Sequence, residues 1–128
     1  MARNANQTRV VAVMVSVADV QEGLRWYERA FPDARRETLA DPQEFEYLAV
    51  GNVMLEIVPA DEKLTSAAAG SVVYWHAADF DTMLDHLLSV GATLYRGPRQ
   101  IERGQKMCQV RDPWGNCIGL RGPSRSCS

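Results

Sequence analysis

The chain has 128 residues, 46% hydrophobic and 23% charged, with 14 basic and 16 acidic side chains and a net charge of −2. That is one domain's worth of chain with an ordinary core, and it excludes wholesale disorder, a disulfide-stapled miniprotein and a basic footprint for nucleic acid or an anionic membrane. No run of about 20 apolar residues is present, and MARNANQTR lacks the apolar stretch of a secretory signal, so the expectation is a cytoplasmic protein whose Cys108, Cys117 and Cys127 are free thiols.

In chain order, residues 1–8 read as a disordered N-terminus. VVAVMVSV at 10–17 is rich in β-branched residues and too short for a helix, so it predicts a buried strand. Asp19 then reads as a helix N-cap, with Glu22 at capping-box spacing. Val20, Leu24, Tyr27 and Phe31 form an apolar stripe that Pro32 ends. Residues 35–40 suit a short strand before an Asp41-Pro42 turn. Phe45–Val50 and Val53–Val58 read as strands joined by a Gly51-Asn52 hairpin. Residues 59–70, with a Pro, charges and small residues, read as a linker.

After the linker the pattern restarts. Val72–Ala77 predicts a strand, Asp79 a second cap, and Met83, Leu84, Leu87 and Leu88 a second stripe ended by Gly91. Thr93–Arg96, Lys106–Val110 and Cys117–Leu120 follow as strands, the last two separated by DPWGN. Residues 122–128 read as a tail. Asp19 and Asp79 each follow an apolar strand and open a helix, and Gly51-Asn52 and Gly115-Asn116 each lead into a last strand. The chain is therefore an internal repeat of two βαβββ modules, residues 9–58 and 71–121, within one domain. One helix cannot cover both faces of a four-stranded sheet. The uncovered face is expected to meet the other half or a second chain, enclosing a cleft.

The opening VSVADVQEGLRWYERAF, the closing DPWGNCIGL and the order of elements resemble the glyoxalase / bleomycin-resistance / extradiol-dioxygenase group, the vicinal oxygen chelate superfamily. The resemblance spans residues 9–121. It implies an α+β fold, with two βαβββ modules forming a cupped, mostly antiparallel sheet with helices outside, and a homodimer. Metal-dependent members carry up to four ligands, usually His or Gln on the first strand of each half and Glu on the last. Carried over position by position, these fall on Ala12, Glu56, Val72 (with Ser71 and Val73 one residue off) and Gly119. Only Glu56 has a donor atom, so no metal and no cofactor are expected.

Strand alternation nominates the cleft lining. Ala12, Met14 and Ser16 face in from the first strand, Phe45, Tyr47 and Ala49 from the third, and Met54, Glu56 and Val58 from the fourth. Val72, Tyr74 and His76, Met107 and Gln109, and Cys117 and Gly119 do so from the second half. Val11, Val13, Val15, Val53, Leu55 and Ile57 are left to pack under a helix. The candidate ligand contacts are Met14, Phe45, Tyr47, Met54, Glu56, Tyr74, His76, Met107, Gln109 and Trp114, the last on the DPWGN turn. Such a lining suits a flat, apolar organic molecule. Glu56, a carboxylate among apolar neighbours, is a ligand anchor, or the acid/base if the protein is an enzyme. Cys117 has no partner base in sequence. The leading expectation is a metal-free small-molecule-binding protein of the bleomycin-resistance kind, sequestering or carrying an aromatic compound. The alternative is an enzyme of the same fold, either a glyoxalase-type lyase or isomerase, or a dioxygenase.

Overall fold

The computed structural model describes residues 8–40, 44–60 and 71–125. The Asp41-Pro42 turn, most of the linker, Cys127 and the N-terminus before Thr8 lie outside the described residues. The elements run β1 (Ala12–Val17), α1 (Val20–Ala30), β2 (Arg35–Leu39), β3 (Phe45–Val50), β4 (Val53–Pro59), β5 (Tyr74–His76), α2 (Phe80–Ser89), β6 (Thr93–Gln100), a 3-10 turn at Glu102–Gly104, β7 (Gln105–Arg111) and β8 (Cys117–Pro123). They form two four-stranded sheets, ordered β1-β4-β3-β2 and β5-β8-β7-β6. The α+β, twice βαβββ expectation holds. Each sheet is mixed, with β5–β8 parallel and β2–β3, β3–β4, β6–β7 and β7–β8 antiparallel. The chain divides into two compact units, one reaching Val58 and one starting at Pro59, with Ser16–Ala18 counted in the second. Among the described residues no helix is long and apolar enough to cross a membrane.

In the first unit, the Asp19 carboxylate accepts from Glu22 N at 3.1 Å, satisfying an orphan donor of α1. Leu24, Tyr27 and Phe31 are buried as the stripe predicts, and Trp26 and Ala30 widen it. Tyr27 meets Trp26 and Phe31 edge-on at 4.8 and 5.7 Å between ring centroids, and burying a ring of this kind contributes roughly 1.5–3 kcal/mol. Leu48, Leu55 and Ile57 bury their side chains on one face of the sheet. Arg36 ties that sheet to α1, pairing with Glu28 at 2.8 Å and reaching Glu46 at 3.6 Å. These contacts hold its guanidinium pKa above the ordinary value, the Glu28 bond contributing most. Val11, expected under the helix, lies ahead of β1 and is exposed.

In the second unit, the Asp79 carboxylate caps α2 through Thr82 N at 3.2 Å. Its core stripe is Phe80, Leu84 and Leu87; Leu88 points outward and Phe80 takes its expected place. The helix ends in a Schellman motif, with Gly91 N donating to Leu88 O, Ala92 N to Leu87 O, and Gly91 at φ 111°. Cys108, Val110, Ile118 and Leu120 form the buried face of the second sheet.

Several strands differ in length from their sequence reading, among them β1, which starts at Ala12, and β6, which runs past Arg96 to Gln100. The first strand of the second half is only Tyr74–His76, and Val72 and Val73 precede it, exposed. The last strand runs on to Pro123, into the stretch read as tail.

Candidate functional site

Each sheet has one buried face and one more open face. On the first sheet, Met54 N donates to Val11 O and Ala60 N to Val17 O, bonds that advance together along both strands, so β1 and β4 are parallel. That register places Met54 opposite Ala12 and Glu56 opposite Met14. Met14 is exposed, while Phe45, Tyr47, Met54 and Glu56 are half-buried. Tyr47 Oη reaches Glu37 Oε1 at 3.4 Å, a long contact. No hydrogen bond or ion pair joins the Glu56 side chain to another described residue.

The second sheet carries the more developed arrangement. Register places Tyr74 and Gln109 on either side of Gly119, and Arg96 beyond Gln109, in one row across four strands. Gly119 has no side chain, and the Tyr74 ring occupies the space above it. A Cβ built on Gly119 would lie 2.7 Å from Cγ and Cδ2 of that ring. Gln109 Nε2 donates to Tyr74 Oη at 2.9 Å, and Cys117 Sγ donates to Gln109 Oε1 at 3.5 Å. The tyrosine is thus laid flat and held from its far end. The neighbouring row runs Arg99, Met107, Arg121, His76.

A half-open depression of about 240 Å³ lies over these rows, lined by Tyr74, Arg96, Gly97, Arg99, Met107, Cys108 and Gln109. Three of the expected contacts, Tyr74, Met107 and Gln109, therefore surround one depression. His76 lies one row away and is exposed. Trp114 lies in the turn between β7 and β8. There the Asp112 carboxylate accepts from Trp114 N at 2.9 Å and Asn116 N at 2.8 Å, and Asn116 Nδ2 donates to its other oxygen and to Ser16 O.

The sequence reading ends this strand at Arg96, short of Arg99, and alternation cannot place Arg96 because β6 is irregular. Leu94 pairs with Val110, yet Arg96 pairs with Gln109, and Arg99 pairs with Met107. Each step inserts one extra residue, and each such bulge turns the following side chain to the opposite face. Two bulges bring both arginines to the face of Met107 and Gln109. Gly97, at φ 82°, is required between them, since a Cβ there would come within 2.9 Å of Met107 O. The bulged Tyr95 receives the Arg111 guanidinium at 4.1 Å and that of Arg96 at 5.3 Å from its ring centroid. Hydrogen bonding to Arg96, then to Arg111, lowers its phenol pKa.

The Cys108 and Cys117 thiols are not nucleophiles poised for reaction. Burial pushes Cys108 up to about 11 and raises Cys117 against the opposing pull of Arg111 and Arg96.

The metal positions implied by the resemblance do not fit a metal. Ala12 and Gly119 offer no donor, Val72 lies outside any strand, and the space at Gly119 holds an aromatic ring. The parallel registers also show that Glu56 and Gly119 are not equivalent. Met54 bonds to the first strand as Gly119 does, which makes Glu56 the counterpart of Arg121. Among the described residues no three His, Cys, Asp or Glu side chains are placed to hold a metal ion.

The family model described as Glyoxalase/Bleomycin resistance protein/Dioxygenase superfamily matches residues 9–120. The chain belongs to this superfamily. Among solved structures, the fosfomycin resistance protein FosX from Mesorhizobium loti superposes with a TM-score of 0.65 at 16% identity, covering 95% of this chain and 96% of that one. TnmS3, an antibiotic binding protein from Streptomyces sp. CB03234, gives 0.62 at 23% identity, covering 94% and 100%. A glyoxalase family protein from Bacillus cereus gives 0.65 at 17% identity, covering 95% and 97%. At these identities the likeness shows the superfamily fold. No curated protein matches the chain.

Proposed function

We propose that this superfamily member is a metal-free small-molecule-binding protein that sequesters or carries an aromatic organic compound on the open face of its second sheet. The observation that carries the reading is the Tyr74 ring, laid over Gly119 where the resemblance implies a metal ligand, and pinned by Gln109 beside an open depression. A flat ring, the Met107 thioether and an oriented amide form a surface for stacking and soft packing with one point of polar recognition. The likeness to an antibiotic binding protein supports the same reading. The free thiols of Cys108 and Cys117 suit a cytoplasmic setting, and we propose a homodimer, which sedimentation would test.

The test is a thermal-shift screen of aromatic natural products, with each hit incubated and checked for turnover. The reading expects at least one compound to raise the Tm in proportion to ln(1 + [L]/Kd) and to be recovered unchanged. It expects Tyr74→Ala to remove the shift. The absence of any stabilising compound overturns the reading. Turnover that is lost in Glu56→Gln would replace it with an enzyme of the same fold.

A further inference from the structure

We propose that the compound bound on this face is a small aromatic acid, recognised by its negative charge as well as by its ring. This inference rests on the binding reading above and names the ligand class. Strands β5 to β8 contain Arg96, Arg99, Lys106, Arg111 and Arg121 and not one Asp or Glu. The strands of the first sheet, in contrast, mix Arg35 and Arg36 with Glu37, Glu46 and Glu56.

Four of the five cations share the open face. Arg96 lies in the row of Gln109, Arg99 and Arg121 flank Met107, and Arg111 lies opposite Cys117. Lys106 pairs with Gln100 and Gly122, one residue out of phase with Met107, and so belongs to the other face. None of the four arginines forms an ion pair among the described residues, unlike Arg35, Arg36 and Arg125. Of the unit's other carboxylates, Asp79 pairs with Arg125, Asp81 with Ser124, Asp112 is bound within its own turn, and Asp85 on α2 and Glu102 in the 3-10 turn lie outside the sheet strands.

Cations of one sign on one sheet face raise the local concentration of an anion. Arginine adds geometry, since its fork accepts a planar carboxylate in two parallel hydrogen bonds. Arg96 and Arg99 line the same depression as Tyr74 and Met107. A ring stacked beside Tyr74 would therefore present an acid substituent to the β6 edge. The volume of about 240 Å³ falls below the roughly 300–1,000 Å³ of pockets for drug-sized ligands, which points to one or two rings.

The experiment is calorimetric titration of the full chain with benzoate, 1-naphthoate and 2-naphthoate, each beside its uncharged primary amide, at low and at high salt. The expected result is an acid bound about tenfold more tightly than its amide, with the preference shrinking as salt rises. The double variant Arg96→Gln/Arg99→Gln should lose that preference, acid and amide then binding equally. Lys106→Gln, which removes a charge from the other face, should keep it. Because Arg96 and Arg99 are exposed on an edge strand, unchanged thermal unfolding would confirm that the double variant is folded. Equal affinity for acid and amide overturns the charge inference and leaves the binding reading standing. No binding of either series overturns both.

Discussion

Gly119 and Tyr74 decide the chemistry of the second sheet between them. A methyl on Gly119 would meet the ring and also Val73 O at 2.7 Å. The ring must swing away or the β5–β8 ladder must open. Gly119→Ala is expected to destabilise the protein by about 1–3 kcal/mol in urea unfolding and to weaken any aromatic ligand. Cys108 makes a second residue-level prediction. Its thiol is raised from an ordinary 9.0 to about 11 by burial. A raised pKa contributes stability that is complete below pH 9 and is lost as pH climbs through 11, because the unfolded thiol gives up its proton first. Unfolding free energies at pH 8 and pH 10.5 should fall further apart in the wild-type chain than in Cys108→Ala. Tyr74, Met107 and Gln109 were legible in the sequence because β7 and β8 pair without interruption from Gln105 to Arg111, so alternation of faces holds along them. Arg96 was not, because a bulge leaves no mark in a two-residue period, and Arg99 lay past the predicted end of its strand.

At the scale of elements, the signals that worked were local ones. Asp19 and Asp79 cap their helices, Gly91 ends one, and Gly51-Asn52 closes a two-residue hairpin between Val50 and Val53. Each is settled within a few residues, where backbone bonds and φ angles dictate the outcome. The Gly115-Asn116 pair looked equivalent and is not. Arg111 pairs with Cys117 across a five-residue loop that the buried Asp112 organises through its own carboxylate. Asp112→Ala leaves two backbone N–H groups and the Asn116 amide without their acceptor. The expected cost is about 3 kcal/mol, read from the urea midpoint at constant m. The shortness of β5 was also hidden, since its length is set by pairing with β8 at Tyr74–His76 and not by the apolar run that precedes it. Deleting Tyr95 would remove the first bulge and leave Arg96 directly after Leu94, still opposite Gln109 and on the open face. That variant is expected to fold and to keep its preference for an acid over its amide in the same titration.

For the whole molecule, composition was a good guide to class and a poor one to surface chemistry. A net charge of −2 excluded a basic footprint on average, yet a single sheet gathers four arginines on one face without a carboxylate among its strands. The repeat was legible because both halves carry the same order of strand, cap, helix and strands. It also misled, because matching Glu56 with Gly119 by motif ignores the register that pairs Met54 with Gly119 instead. The central claim is that this member of the superfamily binds its ligand without the superfamily's metal. Equilibrium dialysis of untagged protein against zinc, nickel, manganese and iron(II), followed by metal analysis, tests it most directly. The predicted result is metal well below one per chain after washing. One tightly held metal per chain, lost in Glu56→Gln, would contradict it.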